Sequence, residues 1–265
     1  TPGVVLASAA KEYLKVYGVL VGKKPLIFTN NDSAYETAIE FKKNNINPII
    51  LDTRKNPESE IISEAKNMGI EMKFSYVVVA AKGYKKVNSA EIANISEDKK
   101  DLGKIENVTC DCICVSGFWT PTIHLASQSG NKTKFNEEID AFVPGKSKQN
   151  ETTVGSANGI FSLEKTITTA FEKGHEISKK ITSKNNKISV PQVSEKKFTQ
   201  HDKFWCVPLP KEKNYKRFLD FQNDVTVSDV ELALREGYRS IEHVKRYTTL
   251  GMATDQGKTS NLNGL

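Results

Sequence analysis

An alternation of short apolar runs with helical patterns constrains the fold more than any other feature of the chain. Residues 25–29 (PLIFT) and 47–52 (NPIILD) are predicted to be buried strands. Residues 34–44 and 57–68 carry the apolar periodicity of helices. Strands that alternate with helices form parallel sheets joined by crossover connections. We therefore predict an α/β fold.

Further elements are predicted on both sides of this alternation. Residues 5–17 have a helical period that stops at Gly18, and residues 74–81 (FSYVVVAA) continue the strands. Residues 86–95 and 105–115 are expected to form a β-ribbon that returns toward the sheet. A later amphipathic helix, which follows a tight turn, is expected to bury one side made of Phe161, Leu163, Ile167, Ala170 and Phe171.

The last third of the chain has a different organisation. Residues 183–204 lack periodicity and are rich in Lys, Ser and Asn, which is typical of a linker. The stretch Thr226-Val-Ser-Asp229 predicts a capping box that opens a helix over residues 230–236. A second helix is expected over residues 240–249, ending before Gly251.

Composition argues against two classes of partner. The 265 residues carry a net charge of +6, but 33 of the 38 basic residues are Lys and alternate with Asn and acidic residues, so the charge indicates a solvated surface and no nucleic-acid partner. No run of about 18 apolar residues predicts a membrane segment. Four cysteines fit a reducing compartment, and we expect a cytoplasmic protein.

The first strand, turn and helix resemble a dinucleotide-binding unit without its binding residues. The turn after Phe28 reads TNNDSA, with no glycine to let the backbone approach a pyrophosphate. Asp32 adds a negative charge where a phosphate would lie. Asp52 follows the next strand, where a ribose-binding acid stands in such units, although a helix cap or a surface residue is the commoner role of such an Asp. The pattern predicts the fold but not the binding.

Cys110, Cys112 and Cys114 raise the question of a metal site. We expect Cys110 and Cys114 to share one face of a strand, about 7 Å apart, with Cys112 on the other, so that the thiols do not converge. A specific metal site would need another cysteine pair or a histidine nearby in the sequence, and only Cys206 is left over. We interpret the three thiols as small core residues and predict no metal site.

Five segments carry a resemblance to a known family: PGVVLASA, FTNNDSAY, VSGFWTPTIHLASQSG, AFVPG and DFQNDVTVSDVELALREGYRSIEHVKRYTTLGMATDQGKTSN. They resemble the alpha subunits of heterotetrameric sarcosine oxidases. The resemblance implies an incomplete FAD/NAD(P)-binding, disulfide-reductase-like three-layer domain over residues 1–182, with a second nucleotide unit at about 23–107 and a return to the first unit over 108–182. A linker (183–204) and a small, mainly helical domain (205–265) would follow. The chain would be a middle fragment, between a glycine-rich loop and a folate-binding domain.

The same resemblance implies an oxidoreductase that acts on the CH–NH group of sarcosine, assembled from alpha, beta, gamma and delta subunits. FAD would lie in the beta subunit and FMN at the boundary with it. The alpha subunit would hold NAD, and tetrahydrofolate would bind in the absent carboxy-terminal domain. No residue of this chain is assigned as a catalytic acid or base, and the fragment alone is expected to be inactive.

The resemblance also implies binding residues. The loop after the cysteine strand would face NAD, with Gly117 allowing close backbone approach and Pro121 fixing the turn. The set expected at NAD is Ser116, Gly117, Trp119, Thr120, Pro121 and Gly155.

The helical domain resembles the ferredoxin-type module named after bacterioferritin-associated ferredoxin, but Asp220, Gln222, Asp255 and Ser260 stand at the positions of its four cluster thiolates. Iron–sulfur clusters need thiolate ligands, so this module is predicted to be cluster-free. Cations and hydroxyl or amide donors remain at a helix end, where they are suited to a phosphate, and a basic turn that caps the helix is the alternative. The set expected at the FMN phosphate is Lys245, Arg246, Thr248, Thr249, Gln256, Lys258 and Thr259.

Two alternative functions stay open at this point. A pyridine-nucleotide or flavin-linked disulfide reductase would need a Cys-x-x-Cys or an intact glycine loop, and the chain shows neither. The alpha subunit of a related FAD/FMN-dependent amine or imino acid dehydrogenase shares the architecture. Some of those relatives keep the cluster cysteines, and their loss favours the oxidase.

Overall fold

The computed structural model describes residues 2–117, 119–182, 189–193, 201–210, 213 and 215–265. Its centre is a parallel sheet of five strands in the order β1-β8-β2-β3-β4. These strands are β1 (Val4–Leu6), β2 (Pro25–Thr29), β3 (Ile49–Asp52), β4 (Glu71–Phe74) and β8 (Cys112–Ser116). The α/β fold and the strands predicted from the first alternation are confirmed.

Three helices cover one face of this sheet. They are α1 (Ala7–Tyr17), α2 (Ser33–Lys43) and α3 (Glu60–Asn67). Gly18 ends α1 in the left-handed conformation, with φ of 63°. Ile27 and Ile50 point from the sheet into the cluster under these helices, where Tyr35 and Phe41 of α2 are fully buried. The first predicted helix was placed too early, because the chain makes strand β1 before α1 begins.

An antiparallel sheet covers the other face. Its strands are β5 (Tyr76–Gly83), β6 (Val87–Ile95) and β7 (Leu102–Thr109). Leu26, Leu51 and Ile113, each next in sequence to a residue of the helix-side cluster, face β6 and pack against Val87 and Ile92. This alternation along buried strands produces three layers: helices, parallel sheet, antiparallel sheet. The predicted ribbon is confirmed for β6 and β7, and the strand predicted at residues 74–81 belongs to the antiparallel sheet.

The cysteine strand is a central strand of the parallel sheet. β8 lies between β1 and β2 and is paired in parallel with both. It thus pairs with β2 of the predicted second unit and with β1, which precedes that unit, and the predicted return of residues 108–182 to a first unit stays a prediction. Both faces of β8 are buried, because Cys112 and Cys114 contact the helix layer while Ile113 contacts the antiparallel sheet.

Residues 119–182 continue beyond this three-layer domain. They form α4 (His124–Gln128), the hairpin of β9 (Thr133–Asn136) and β10 (Ala141–Pro144), a 3-10 helix (Gly155–Asn158) and α5 (Leu163–Thr182). The described part of the chain buries no residue of α5, and Phe161, Leu163 and Phe171 are all more than two-fifths exposed. The predicted apolar side of this helix exists, but its predicted burial is wrong because the described elements do not cover it.

The carboxy-terminal region is small and mainly helical. It contains β11 (Phe218–Asp220), β12 (Val225–Thr226), α6 (Val227–Arg235), α7 (Ile241–Thr248) and α8 (Asn261–Gly264). The capping box is confirmed, since the Thr226 hydroxyl accepts from the Asp229 N–H and the Asp229 carboxylate accepts from the Thr226 N–H. Among the described residues, no helix combines the length and the apolar composition needed to cross a membrane.

Candidate functional site

The carboxyl ends of three neighbouring parallel strands meet at one edge of the sheet. β2 ends at Thr29, β3 at Asp52 and β8 at Ser116. In open α/β sheets, ligands bind in the crevice outside such carboxyl ends. We call this region the carboxyl edge. It is the place at which a nucleotide would bind to this domain.

Asn31 fills the space that a glycine-rich turn would leave open. Its side-chain amide donates to the carbonyl oxygen of Gly117 and to Asn30 Oδ1, the latter at 3.0 Å. Its Oδ1 accepts from Ser33 N at 2.9 Å and from Ser33 Oγ at 2.6 Å. Ser33 Oγ lies 3.1 Å from Ser116 Oγ. The start of α2 is thus bonded to the end of β8 through a side chain that the sequence pattern did not single out.

A buried charge cluster occupies the other half of the carboxyl edge. Arg54 Nη1 lies 2.8 Å from Asp32 Oδ1, and its Nη2 lies 2.7 Å from Asp52 Oδ2. Both carboxylates are fully buried, and the Arg54 side chain is 10% exposed. Tyr35 donates its hydroxyl to Asp52 Oδ2 at 2.8 Å. The Asp32 charge, expected where a phosphate would lie, is therefore paired with Arg54, and Asp52 is neither a helix cap nor a surface residue.

Ionisation in this cluster follows from burial and from the ion pairs. Burial, followed by the Asp52 carboxylate beside it, raises the pKa of Tyr35 far above its ordinary value. Burial alone would lower the pKa of Arg54, but hydrogen bonds and charge from Asp52 and Asp32 raise it. The cluster is therefore a neutral tyrosine beside a guanidinium shared by two carboxylates.

A segment from the far end of the chain crosses the carboxyl edge, and we call residues 201–207 the strap. Asp202 N donates to the carbonyl of Asn30 at 2.9 Å, and Asn30 Nδ2 donates to the carbonyl of Asp202 at 2.9 Å. The Asp202 carboxylate accepts from the Thr53 hydroxyl at 3.0 Å and pairs with the Lys99 ammonium. Groups that a phosphate would contact at this edge are therefore bonded to other parts of the chain.

The strap continues over the outer face of the antiparallel sheet. Phe204, Val207 and the nearby Tyr215 pack against a cluster formed by Val77, Val79, Ala93 and Ile95. The predicted linker, residues 183–204, lies outside the described residues over 183–188 and 194–200. Its last residues make defined contacts, because they begin the strap.

Glu91 anchors the chain that follows the strap. This residue is 7% exposed. Its carboxylate accepts from the Tyr215 hydroxyl at 2.6 Å and lies 3.2 Å from Lys213 Nζ and 3.3 Å from Lys82 Nζ. The Tyr215 hydrogen bond, with the two lysines, holds the pKa of Glu91 below its ordinary value. The sequence upstream of the helical region is thereby bonded to strand β6.

All three strand cysteines are buried, which confirms their interpretation as core residues. Cys112 and Cys114 share the helix-side cluster, and Cys110 lies in the cluster between the sheets. The predicted faces were wrong, because alternate residues of a strand point to the same side and Cys110 precedes the strand. Burial raises the pKa of Cys110 to about 11. Within the described residues, no group of three or more His, Cys, Asp or Glu side chains is arranged to hold a metal ion.

The residues predicted at NAD fall into three groups. Ser116 and Gly117 lie at the carboxyl edge beside Asn31. Gly155 begins the 3-10 helix with φ of 67°, and Gly159 ends it. Pro121 is buried beside the end of this helix, since its Cγ would lie 3.8 Å from a Cβ added at Gly159. Trp119 is 55% exposed and Thr120 is also exposed, whereas Phe118 of the same loop lies outside the described residues.

The residues predicted at the FMN phosphate lie on the end of α7 and the turns after it. Thr249 ends α7 in the left-handed conformation, with φ of 64°. Three of the predicted donors are used inside the chain: Thr248 Oγ1 donates to the Val244 carbonyl, Gln256 Nε2 to the Ala253 carbonyl and Thr259 Oγ1 to Asp255 Oδ2.

Three cations remain on this surface. Lys245, Arg246 and Lys258 form no ion pair with any residue that the structure describes. Lys245 and Arg246 stand in the last turn of α7, where their positive charge interacts favourably with the negative end of the helix dipole. The end of α7 and the turns after it therefore carry positive charge that no ion pair of the described residues offsets.

Sequence reasoning missed Arg54, Tyr35, Asp202 and Glu91. An Arg two residues after an Asp at a buried strand end was a usable local signal for the charge cluster. Asp202 gave no such signal, because its partners are more than 100 positions away in the chain. Glu91 gave none for two of its partners, Tyr215 and Lys213, which are also more than 100 positions away.

The fold and the carboxyl edge define a class of protein. A parallel sheet between a helix layer and an antiparallel sheet is the FAD/NAD(P)-binding, disulfide-reductase-like arrangement. The structure of L-proline dehydrogenase from P. horikoshii is similar over the whole chain and 48% of its own length, with a TM-score of 0.60 and 18% identity. This likeness concerns the fold alone.

Comparison with curated sequences gives the family. Residues 214–265 match the model of the sarcosine oxidase A3 domain. Sarcosine oxidase subunit alpha of Rhizobium meliloti (strain 1021) is 34% identical over 266 residues, which cover 100% of this chain and 25% of the relative. The corresponding subunit of Corynebacterium sp. (strain P-1) is 32% identical, over 98% of this chain and 27% of the relative. The chain belongs to the sarcosine oxidase alpha-subunit family and spans about a quarter of the length of these relatives.

Proposed function

We propose that this chain is the cofactor-binding and scaffolding part of a sarcosine oxidase alpha subunit. The observation that carries the proposal is similarity to such subunits along the whole chain, with the A3 domain at its end. The complete enzyme would be an oxidoreductase that demethylates sarcosine to glycine and forms hydrogen peroxide and methylene-tetrahydrofolate. Its partners would be beta, gamma and delta subunits in the cytoplasm. The chain alone would be inactive.

The α/β domain would serve mainly as the scaffold in this complex. Asn31, the Arg54 cluster and Asp202 occupy the carboxyl edge at which a nucleotide would bind. The strap and the Glu91 anchor bond the segment that precedes the helical region to this domain. The cofactors would then bind at the borders of the domain: NAD beside β8, FMN between the helical region and the beta subunit, FAD within the beta subunit and tetrahydrofolate in a further alpha-subunit domain.

The FMN phosphate would be held by the cations at the end of α7. Lys245, Arg246 and Lys258 supply positive charge that no described carboxylate neutralises. Thr249 and Gln256, both in the left-handed conformation, shape the turns between these cations. Bound FMN would supply the centre that passes electrons to oxygen. The residues of this chain would bind and orient its phosphate.

Replacement of Lys245, Thr249 and Gln256 by Ala is expected to lower the FMN content of the assembled complex about tenfold or more, because charge-assisted hydrogen bonds to the phosphate are lost. The full-length subunit is co-expressed with its partners, and FMN content and sarcosine-dependent peroxide formation are measured. The matched control changes Lys179 and Thr182, at the basic end of α5, to Ala and should keep both. An unchanged FMN content would refute the phosphate assignment, and a wild-type complex that forms no peroxide from sarcosine would refute the function.

NAD would lie against the loop after β8, with Ser116, Gly117, Trp119, Thr120, Pro121 and Gly155. An open position supports this assignment, since a Cβ added at Gly117 meets no atom within 4 Å. The exposed Trp119 ring offers a flat apolar surface beside it.

Gly117→Val is therefore expected to lower the NAD content of the complex about tenfold by filling this space while leaving stability unchanged. Gly174→Ala on α5, where an added Cβ also meets no atom within 4 Å, is the control and should retain NAD. NAD released by acid from the purified complex is quantified. Full NAD content in the Gly117 variant would rule out this position.

A further inference from the structure

A buried carboxylate organises the turn that follows α7. Asp220 ends strand β11 and is 3% exposed. Its Oδ1 accepts from the N–H groups of Gln222 at 2.9 Å and Asn223 at 3.2 Å. Its Oδ2 accepts from the N–H of Gly251 at 2.9 Å. No described Lys, Arg or His pairs with it, so three backbone donors carry its charge.

The same two loops are joined at a second point. Asn223 Nδ2 donates to the Thr249 carbonyl at 3.0 Å. Thr249 and Gly251 both have left-handed backbone, with φ of 64° and 67°. A Cβ at Gly251 would collide with the side-chain oxygen of Asn261. The turn over residues 249–251 is therefore held by Asp220 on one side and is closely packed on the other.

The turn over residues 249–251 directly follows the cations at the end of α7. Lys245 and Arg246 stand in the last helical turn, directly before the held residues. Asp255 acts similarly on the next turn, since it accepts from Gly257 N at 3.0 Å and from Thr259 Oγ1 at 2.9 Å. Burial opposes ionisation, yet these hydrogen bonds keep the pKa of Asp255 below its ordinary value.

We propose that Asp220 is a positioning residue for phosphate binding: by holding the N–H of Gly251 it fixes the turn over residues 249–251 in the shape that presents Thr249, Lys245 and Arg246 to the FMN phosphate. This inference rests on the proposed FMN role of the same surface. Asp220 itself faces inward and does not touch the ligand.

The first test concerns the turn and needs no cofactor. An ionised carboxylate only accepts hydrogen bonds, whereas an Asn amide must turn its NH₂ toward Gly251 or toward the two loop N–H groups. Asp220→Asn is therefore expected to speed amide exchange at Gly251 by about tenfold or more. Asp224→Asn, an exposed residue of the same loop, is the matched control and should leave this exchange unchanged.

The second test separates positioning of the phosphate from general loosening of the domain. The full-length variant subunit is combined with its partners in the presence of FMN or of riboflavin, which lacks the phosphate, and the retained flavin is measured. Asp220→Asn is expected to lower FMN retention about tenfold and to leave riboflavin retention unchanged. Asp220→Glu, which keeps the carboxylate, should recover part of the preference for FMN. It also serves as the second variant if the Asn protein does not fold.

The results distinguish failure of the Asp220 role from failure of the proposed FMN phosphate site. Unchanged Gly251 exchange in Asp220→Asn would overturn the role of Asp220. Faster exchange with an unchanged preference for FMN over riboflavin would also overturn it, while the triple variant at Lys245, Thr249 and Gln256 still reports on the phosphate site itself. If that triple variant also keeps FMN, the proposed FMN role fails together with the inference.

Discussion

Replacing Arg54 with Met is expected to lower the free energy of unfolding by about 3–5 kcal/mol, because it leaves two buried carboxylates without their shared partner. Asp32 and Asp52 are both fully buried, and Arg54 lies within 2.8 Å of each. Tyr35 can donate one hydrogen bond to Asp52 but supplies no positive charge. The free energy is measured by urea unfolding at pH 7.

A solvent-exposed ion pair provides the control for this variant. Lys173→Ala breaks an exposed pair with Glu176 at 2.9 Å and should change stability by less than about 0.5 kcal/mol. A loss below about 1 kcal/mol for Arg54→Met would show that the cluster is more hydrated than its burial indicates.

Glu91→Gln is expected to lower the free energy of unfolding by about 1–3 kcal/mol. The substitution removes the carboxylate that accepts a hydrogen bond from the Tyr215 hydroxyl and pairs with two lysines. The matched control is Glu106→Gln on the neighbouring strand. Glu106 also meets a tyrosine and a lysine, Tyr76 at 3.3 Å and Lys73 at 3.2 Å, but its side chain is 41% exposed. The control should lose less than about 0.5 kcal/mol.

The pH dependence of this second effect has a defined sign. The pKa of Glu91 is lowered from its ordinary value of 4.5 in the folded chain. The contribution of the Glu91 carboxylate to the free energy of unfolding is therefore complete at pH values above its ordinary pKa. This contribution is lost as the pH falls through the lowered pKa of the folded chain. The difference in unfolding free energy between the parent and Glu91→Gln should be constant from about pH 6 to pH 8 and should shrink in acid. A constant difference down to about pH 3 would contradict the assignment.

Local sequence patterns predicted the layers better than the pairing between them. Apolar runs such as residues 25–29 and the periodicity of α2 depend on near neighbours, so their burial can be inferred from short windows. The position of β8 between β1 and β2 depends on pairing across 87 positions, as between Pro25 and Cys112. Strand spacing along the chain does not determine that choice.

The candidate sites also divide into one that depends on local sequence and one that depends on long-range contacts. The cations at the end of α7 and the capping box at Thr226 lie within one local pattern, and sequence reasoning identified both. The occupants of the carboxyl edge come from loops after different strands and from the strap. Their proximity follows from the order of strands in the sheet, which no single window of sequence contains.

The strap has a consequence for the order in which the chain is made. Asn30 and Asp202 are separated by 172 positions, so the sheet edge is translated long before the residues that cover it. During synthesis, Asn30, Thr53 and Lys99 must stay hydrated until the strap has left the ribosome. The α/β domain therefore forms its last hydrogen bonds only after synthesis has continued well beyond strand β8. Completion of this domain is thus coupled to synthesis of the segment that leads into the helical region.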